Sequence, residues 1–206
     1  MTPPLPLSQR LRAATRSLHT AAERAGPMPA LLRGELPLRG YVALLQQLSP
    51  IYSALESALH TTPARAGTPG FDPALARGAA LQADLAYLQA RTGGLQLPQI
   101  TPAASAYAAH LQTLPPPLLA AHAYVRYLGD LAGGQVLARI VGRAYGLQHE
   151  GLCFYRFAGD PVALSQGLRA VLDALPADEG DAIVAEAIAA FQRHVQLFDA
   201  LAETPA

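Results

Sequence analysis

The chain has 206 residues, about half of them apolar, which is enough for one well-buried domain. Fifteen basic and fifteen acidic residues cancel, which argues against a broad basic surface for nucleic acid and against an acidic tail. The N-terminus lacks the pattern of a secretion signal, and no apolar run approaches the roughly 18 residues of a membrane span. We therefore expect a soluble, cytoplasmic protein with one domain over residues 1–206 and an ordered core at about 8–201.

Apolar residues at helical spacing predict two helices in the first third of the chain. Positions 7, 11, 14, 18 and 22 form the first stripe, behind a cap at Ser8 and before a stop at Gly26–Pro27. The same spacing continues from Tyr41 to Leu59, where Pro50 is expected to kink the second helix. Residues 61–70 are predicted to form a loop.

Three cap–proline pairs predict the starts of later helices. Asp72–Pro73 and Thr101–Pro102 open helices that run to about residues 91 and 113, and Asp160–Pro161 opens another. Between them, a helix is expected at 118–145, and a last one at about 178–201. No segment alternates with a period of two, so the predicted fold class is all-α.

Residues 127–137, YLGDLAGGQVL, put three glycines inside a segment that otherwise reads as a buried helix. Each glycine in a helix interior costs roughly 0.5–1 kcal/mol relative to alanine. Gly129, Gly133 and Gly134 therefore mark a place where the helix bends or where a flat ligand lies against its backbone.

His19 is the histidine that the pattern singles out as a metal ligand. It lies four residues before Glu23, so both side chains share one face of the first helix. A carboxylate there can accept the second ring N–H and fix the tautomer. One axial histidine is what a haem needs, whereas a non-haem site would need further ligands nearby.

Two motifs resemble the haem oxygenase family. LRAATRSLHTAAERAGPM at residues 11–28 is similar to the proximal helix of that family, and AHAYVRYLGDLAGGQVL at 121–137 is similar to its distal helix. Residues 51–59 and 191–201 add weaker similarity, while the region from 59 to 118 matches only in its helical character. The resemblance implies a multi-helix fold in which haem lies between a proximal helix and a kinked distal helix.

The resemblance also implies an activity, namely the cleavage of haem b with O2 and electrons to biliverdin, ferrous iron and carbon monoxide. Haem would be both substrate and cofactor. The chain carries no flavin or nucleotide motif, so the electrons would come from a ferredoxin or a flavin reductase, and a monomer is expected. The sequence leaves open the biliverdin isomer and whether the reaction serves iron acquisition or bilin supply.

By the same resemblance, His19 is the iron ligand and Glu23 orients its ring. Gly129 and Gly133 would let the distal backbone approach the porphyrin and direct bound oxygen toward one ring carbon. Asp130 would supply a proton through an ordered water.

Tyr52 and Arg126 occupy the family positions of the water network that serves Asp130. A plainer interpretation stays open, in which Asp130 is a helix charge paired with Arg126.

Basic residues at the pocket edge are expected to hold the haem propionates. Arg12 and Arg16 precede His19 on the first helix, where the family carries basic residues, and an arginine fork can bind a carboxylate with two bonds. Arg169 matches another basic position, whereas a second basic partner is replaced by Ser165.

Met28, Tyr124 and Phe191 match family residues that line the pocket, although apolar residues at this spacing also suit a plain core. Gly134 is expected to contribute to the same binding surface. His194 is expected to face solvent, with membership of the distal water network as the alternative. His60, His110, His122 and His149 are not expected to bind haem.

Two other classes of protein compete with an oxygenase. A haem carrier or sensor on the same scaffold would keep His19 but would need neither Asp130 nor the glycines. A thiaminase-like hydrolase of related fold would need a nucleophilic cysteine, and Cys153, the one cysteine, is expected to be a small buried hydrophobic residue.

Overall fold

The computed structural model describes residues 5–61, 70–94 and 98–202, and in these ranges the chain forms helices and no β-strand. The predicted all-α class is confirmed, while positions 62–69 of the expected loop lie outside the described residues. The α-helices are α1 (Leu7–Glu23), α2 (Met28–Leu32), α3 (Leu38–Thr61), α4 (Gly78–Arg91), α5 (Pro102–Thr113), α6 (Pro116–Ala123), α7 (Gly129–Tyr145), α8 (Pro161–Asp173) and α9 (Gly180–Ala202).

These helices share one hydrophobic core. α3 packs against α4, α5 and α6, while α9 packs against α1 and α6. The core contains four fully buried tyrosines, Tyr41, Tyr52, Tyr107 and Tyr127. None of the described helices is long and apolar enough to cross a bilayer.

The first turn of α1 is capped by a carboxylate from α8. The amide of Ser8 donates to Oδ1 of Asp173 at 2.7 Å, and the Ser8 hydroxyl donates to Oδ2 at 2.9 Å. A negative charge at this end satisfies free N–H groups and complements the helix dipole. The predicted cap at Ser8 is wrong, because Ser8 is the second residue of the helix and its hydroxyl bonds another element.

The stop predicted at Gly26–Pro27 is confirmed, since α1 ends at Glu23. Gly26 has a φ of +48°, and a Cβ added there would lie 1.8 Å from the carbonyl oxygen of Phe198 in α9. Only glycine allows the two backbones to approach this closely. The short helix α2 follows at once, and the sequence pattern did not predict it.

α3 continues through Pro50, a position at which the ring removes one backbone hydrogen bond. The kink expected there stays a prediction. The helix buries one continuous face, which includes Tyr52.

Two of the predicted cap–proline pairs begin α-helices as expected. The Thr101 hydroxyl accepts the amide of the third residue of α5 at 3.2 Å, and the Asp160 carboxylate accepts the equivalent amide of α8 at 2.8 Å.

The third pair, Asp72–Pro73, begins only a 3₁₀ turn, Pro73–Leu75, so the predicted α-helical start is wrong. α4 begins at Gly78 instead, where the Glu56 carboxylate of α3 accepts the amides of Arg77 and Gly78. The cap therefore comes from another helix rather than from the neighbouring sequence.

The helix predicted at 118–145 has three parts. α6 is followed by a π-helical segment, Tyr124–Leu128, and then by α7. Gly129 itself has ordinary helical angles, with φ −62° and ψ −47°. Because π-helical segments are a common cause of kinks, the break in regularity belongs to Tyr124–Leu128 and not to the glycines.

The predicted end of the helical region is close to the observed one, with α9 preceded by the 3₁₀ turn Ala177–Glu179.

Cys153 lies half-buried in a 3₁₀ turn, so the expectation that it is buried is wrong. Both carboxylate oxygens of the buried Asp84 hold this turn, accepting the amides of Cys153 at 2.9 Å and Phe154 at 2.8 Å. It is the Phe154 ring that enters the core. The partial burial raises the pKa of the Cys153 thiol, which disfavours a nucleophilic role.

Candidate functional site

His19 projects from the exposed side of α1 with Glu23 beside it. Their side chains are 58% and 49% exposed, and Nδ1 of His19 lies 3.6 Å from Oε1 of Glu23. Glu23 therefore faces Nδ1, which leaves Nε2 as the nitrogen available to a ligand. The Phe191 ring on α9 and the imidazole pack edge to face, with 6.2 Å between ring centroids.

A side-chain contact joins the helix of His19 to the π-helical segment. The hydroxyls of Thr15 and Tyr124 are 3.1 Å apart. Thr15 lies one turn before His19, and Tyr124 lies five residues before Gly129. The contact thus connects the two helices on which the sequence placed the opposite sides of a binding site.

Gly129 and Gly133 leave one stretch of the α7 backbone uncovered. A Cβ added at either position would meet no atom of the described residues within 4 Å. Four residues apart, the two positions share one face of the helix. The face is therefore open to a flat ligand.

Gly134 lies on a different side of α7. It is buried, and a Cβ there would lie 3.5 Å from the Tyr155 ring. One residue advances an α-helix by about 100°, so Gly134 cannot share the open face of Gly133. Gly134 thus packs against Tyr155, and its contact with a cofactor stays a prediction.

A polar set of the buried Tyr52 and Arg126 with the half-buried Asp130 lies between α3 and the segment from Tyr124 into α7. The Tyr52 hydroxyl donates to Oδ2 of Asp130 at 2.5 Å, and Nε of Arg126 donates to the Tyr52 oxygen at 3.2 Å. The Arg126 guanidinium also lies 4.9 Å from the centre of the Tyr52 ring. The sequence-based trio of Tyr52, Arg126 and Asp130 is thus brought together, with the tyrosine between the two charges.

Burial raises the pKa of Asp130 to about 6, although the positive charge of Arg126 and the hydrogen bond from Tyr52 oppose the shift. Burial likewise raises the pKa of Tyr52. For Arg126, burial alone would lower the pKa, but Tyr52 and Asp130 outweigh it and the pKa is raised. The set therefore holds one permanent cation and one carboxyl group that titrates near neutral pH.

Arg126 retains an unused donor. Its Nη1 is buried and has no hydrogen-bond partner among the described residues. Because buried donors are normally paired, this atom fits a water or ligand atom that completes the site.

His194 contradicts the expectation of a solvent-facing side chain. It is 5% exposed, and its ring packs against those of Tyr107, Phe191 and Phe198. Its Nδ1 lies 3.1 Å from the Ala190 carbonyl oxygen, which accepts a hydrogen bond from it. Burial, followed by the charge of Arg126, holds the pKa of His194 well below its usual value. Apolar residues lie three and seven positions before His194 on α9. This helical spacing indicates that His194 is buried, and the prediction from sequence did not take it into account.

Arg77 is a neighbour of the site that the sequence reading missed. It is buried, burial lowers its pKa, and the charge of Asp130 acts in the opposite direction. It comes from the part of the chain, residues 59–118, that matched the family only in helical character.

The basic residues expected at the pocket edge are exposed. Arg12 and Arg16 lie on the outer side of α1. Arg169 on α8 donates to the Ser165 carbonyl oxygen at 3.2 Å and bonds the Ser165 hydroxyl. Ser165, which stands where a second cation was expected, thus positions Arg169.

Met28 is half-buried at the start of α2 and packs on the core. Tyr124 is also half-buried, and its hydroxyl is the one that reaches Thr15. Phe191 is buried with its edge on His19. Tyr124 and Phe191 therefore lie near the helix that carries His19, whereas the role of Met28 in lining the pocket stays a prediction.

The fold and the site together define a helical protein in which an exposed histidine and an open, glycine-bearing helix surface belong to connected helices. The His19 nitrogen left free, the uncovered backbone and the unpaired Arg126 donor all suit a planar, metal-centred ligand, and exposed arginines suit acidic groups on its edge.

Comparisons with known proteins agree with this class. The protein-family model described as "Heme oxygenase" matches residues 5–200. "Heme oxygenase 1" of the cyanobacterium Nostoc is 36% identical over 95% of this chain and 85% of its own length. "Heme oxygenase 2" of Synechocystis is 39% identical over 90% of this chain and 78% of its own length.

Solved structures give the same result. The crystal structure of heme oxygenase-1 from Synechocystis in complex with heme has a TM-score of 0.85 and 31% identity, and the match covers 96% of this chain and 92% of that one. Heme oxygenase from Leptospira interrogans has a TM-score of 0.85 and 30% identity, with 95% and 100% covered. The chain belongs to the haem oxygenase family.

Proposed function

We propose that this protein is a haem oxygenase that cleaves haem b with O2 and external electrons to biliverdin, ferrous iron and carbon monoxide. The observation that carries the proposal is the connected pair of helices, with His19 on one and the open Gly129–Gly133 face on the other, backed by the Tyr52–Asp130–Arg126 set. When bound, haem supplies both the iron at which oxygen is activated and the ring carbon that is oxidised.

His19 would bind the iron through Nε2, because Nδ1 faces Glu23. A carboxylate that accepts the Nδ1–H fixes the ring orientation and increases the basicity of Nε2. The contact from Phe191 limits rotation of the same ring.

Gly129 and Gly133 would let haem lie directly against the α7 backbone. Since a Cβ at either position would project into open space, bare backbone gives the closest approach that a helix allows. This bare backbone would restrict the space on one side of the ring and so would favour reaction at one ring edge.

Asp130 would hold and transfer the proton that the reaction consumes. Its pKa of about 6 suits proton exchange near neutral pH, and Tyr52 fixes the orientation of its carboxyl group. The free Nη1 of Arg126 would hold the water through which Asp130 acts.

Arg12, Arg16 and Arg169 would bind the haem propionates at the exposed edge of the site. The same cations would attract an acidic electron donor, either a ferredoxin or a flavin reductase. We propose a cytoplasmic monomer that depends on this external donor.

Turnover tests the proposal against a haem carrier or sensor. The purified protein is mixed with hemin under air with a reducing system, and the Soret band, the red absorbance and released CO are followed. We expect loss of the Soret band with formation of biliverdin and CO. A Soret band that persists under reduction, with no CO, would instead establish a carrier or sensor. The exposed His60→Ala variant is the matched control and should turn over like the unmodified protein.

A further inference from the structure

Three side chains that can bind a metal converge from three helices, apart from the residues assigned to haem. They are His110 on α5, His122 on α6 and Glu186 on α9. Nε2 of His110 lies 2.7 Å from Oε1 of Glu186, and Nε2 of His122 lies 2.9 Å from the same oxygen. Their candidate ligand atoms all lie within 4.8 Å of one another.

Two imidazole nitrogens and one carboxylate oxygen are the donor set of many Zn²⁺ sites and of other first-row divalent ions. Ca²⁺ and Mg²⁺ prefer oxygen ligands, so this set disfavours them. A tetrahedral ion with bonds near 2.0–2.1 Å places its donor atoms roughly 3.3 Å apart. Each histidine nitrogen would therefore have to move away from the Glu186 oxygen by about 0.5 Å, which lies within the reach of side-chain rotation.

The surroundings of His122 are those of an oriented metal ligand. The ring is fully buried, and its Nδ1 lies 2.9 Å from the Tyr107 hydroxyl. When Nε2 binds a metal, the neutral ring carries its proton on Nδ1, where the Tyr107 oxygen can accept it. The imidazole then keeps one hydrogen bond and fixed orientation in both states.

The cluster can be reached from solvent. The side chains of His110 and Glu186 are 24% and 13% exposed, which gives an entry path to the buried His122. With three protein ligands, a fourth position on this side stays open to water.

We propose that His110, His122 and Glu186 form a binding site for a divalent transition-metal ion of the Zn²⁺ class, separate from the haem site and independent of the proposed oxygenase activity. Arg193 is the neighbouring charge that opposes a cation, since its charge acts on His122. Replacing Arg193 with Gln is therefore expected to tighten metal binding.

Calorimetric titration of the chelator-treated, haem-free protein with Zn²⁺ tests this site, and Co²⁺ absorption reports its geometry. We expect one ion per chain with visible bands of a low-coordinate N/O site. His110→Ala and Glu186→Gln should each weaken Zn²⁺ binding on the order of 100-fold. His60→Ala, an exposed histidine away from the cluster, should bind like the unmodified chain.

A second measurement does not depend on whether the variants fold. Zn²⁺ added to the unmodified protein should shift the imidazole NMR signals of His110 and His122 and leave those of His19 and His60 in place. Absence of stoichiometric binding, binding that survives both substitutions, or shifts centred on His19 and Glu23 would each overturn the proposal. The cluster would then be a hydrogen-bonded link between helices only.

Discussion

The two carboxylates of the candidate site differ in their exposure to solvent. Glu23 is half exposed and faces Nδ1 of His19, so it can accept a hydrogen bond from that nitrogen and fix the tautomer of the ring. Asp130 faces the buried Tyr52, and burial moves its pKa up to about 6. Solvent exposure thus suits Glu23 to orient the His19 ring, whereas burial suits Asp130 to carry a proton.

Replacing His19 with Ala is expected to remove the iron ligand while leaving α1 intact, because the side chain is exposed and alanine favours a helix. The haem spectrum should lose its histidine-ligated form and regain it when imidazole is added. His60→Ala serves as the control. Histidine-type coordination that persists in the His19 variant without imidazole would rule out this ligand.

The raised pKa of Asp130 predicts a pH-dependent stability of the haem-free protein. A carboxyl group with a higher pKa in the folded state keeps its proton there longer than in the unfolded chain. Its contribution to the free energy of unfolding is therefore complete below about pH 4 and is lost as the pH rises through about 6. Asp130→Asn should lack this loss, so the stability difference between variant and unmodified protein should grow across that window.

Urea unfolding at several pH values between about 4 and 7.5 measures this difference. Parallel stability curves for the two proteins would show that Asp130 does not titrate in this range.

At the scale of single elements, α7 shows glycines used for access. Gly129 has ordinary helical angles, so its backbone conformation does not require glycine. The open space at its Cβ position, which a side chain would occupy, is the remaining reason for a glycine there. The break in helical regularity comes from the preceding π-helical segment, Tyr124–Leu128.

Gly133→Ala and Gly167→Ala form a matched pair, because both glycines lie inside helices and an added Cβ would meet nothing at either. Each substitution should stabilise the haem-free protein by roughly 0.5–1 kcal/mol through helix propensity. Only Gly133→Ala should weaken haem binding, since its methyl group would occupy the open face. Thermal unfolding and haem titration measure the two effects, and equal haem affinities in both variants would contradict this role for the α7 face.

The sequence predicted elements whose start signals are local and missed those whose signals lie far away in the chain. Thr101 and Asp160 cap the helices that directly follow them. The true start of α4 depends on Glu56, and the first turn of α1 depends on Asp173, so the neighbouring residues could not reveal either.

The candidate site also combines features that local sequence motifs predict with features that depend on distant contacts. His19, Arg126 and Asp130 could be selected from the two motifs, and Tyr52 from the weaker similarity at residues 51–59, because the family resemblance placed them. Their mutual bonds, and the turn of Gly134 away from the open face, needed the three-dimensional helix arrangement.

In the whole molecule, the helix that carries His19 is held in place by the last two α-helices, α8 and α9. Asp173 of α8 binds its first turn, and Gly26 just beyond it touches the α9 backbone at Phe198. The position of His19 therefore depends on packing among the first and last helices.

Gly26→Ala is expected to destabilise the protein by more than about 2 kcal/mol, since it adds both backbone strain and an overlap with α9. Gly94→Ala is the matched control, because Gly94 also has a positive φ, +82°, but no atom of the described residues lies within 4 Å of its Cβ position. The control should cost only the strain, on the order of 1 kcal/mol. Urea unfolding compares the two, and equal losses would show that the close approach to α9 contributes nothing.

We expect Asp130 to be the residue that makes this haem-binding scaffold an oxygenase. The most direct test compares the unmodified protein with Asp130→Ala at equal haem occupancy and measures CO and biliverdin released per haem under reduction in air. We expect near-stoichiometric CO and biliverdin from the unmodified protein, and haem binding with little of either product from the variant. Equal yields from the two proteins would contradict it.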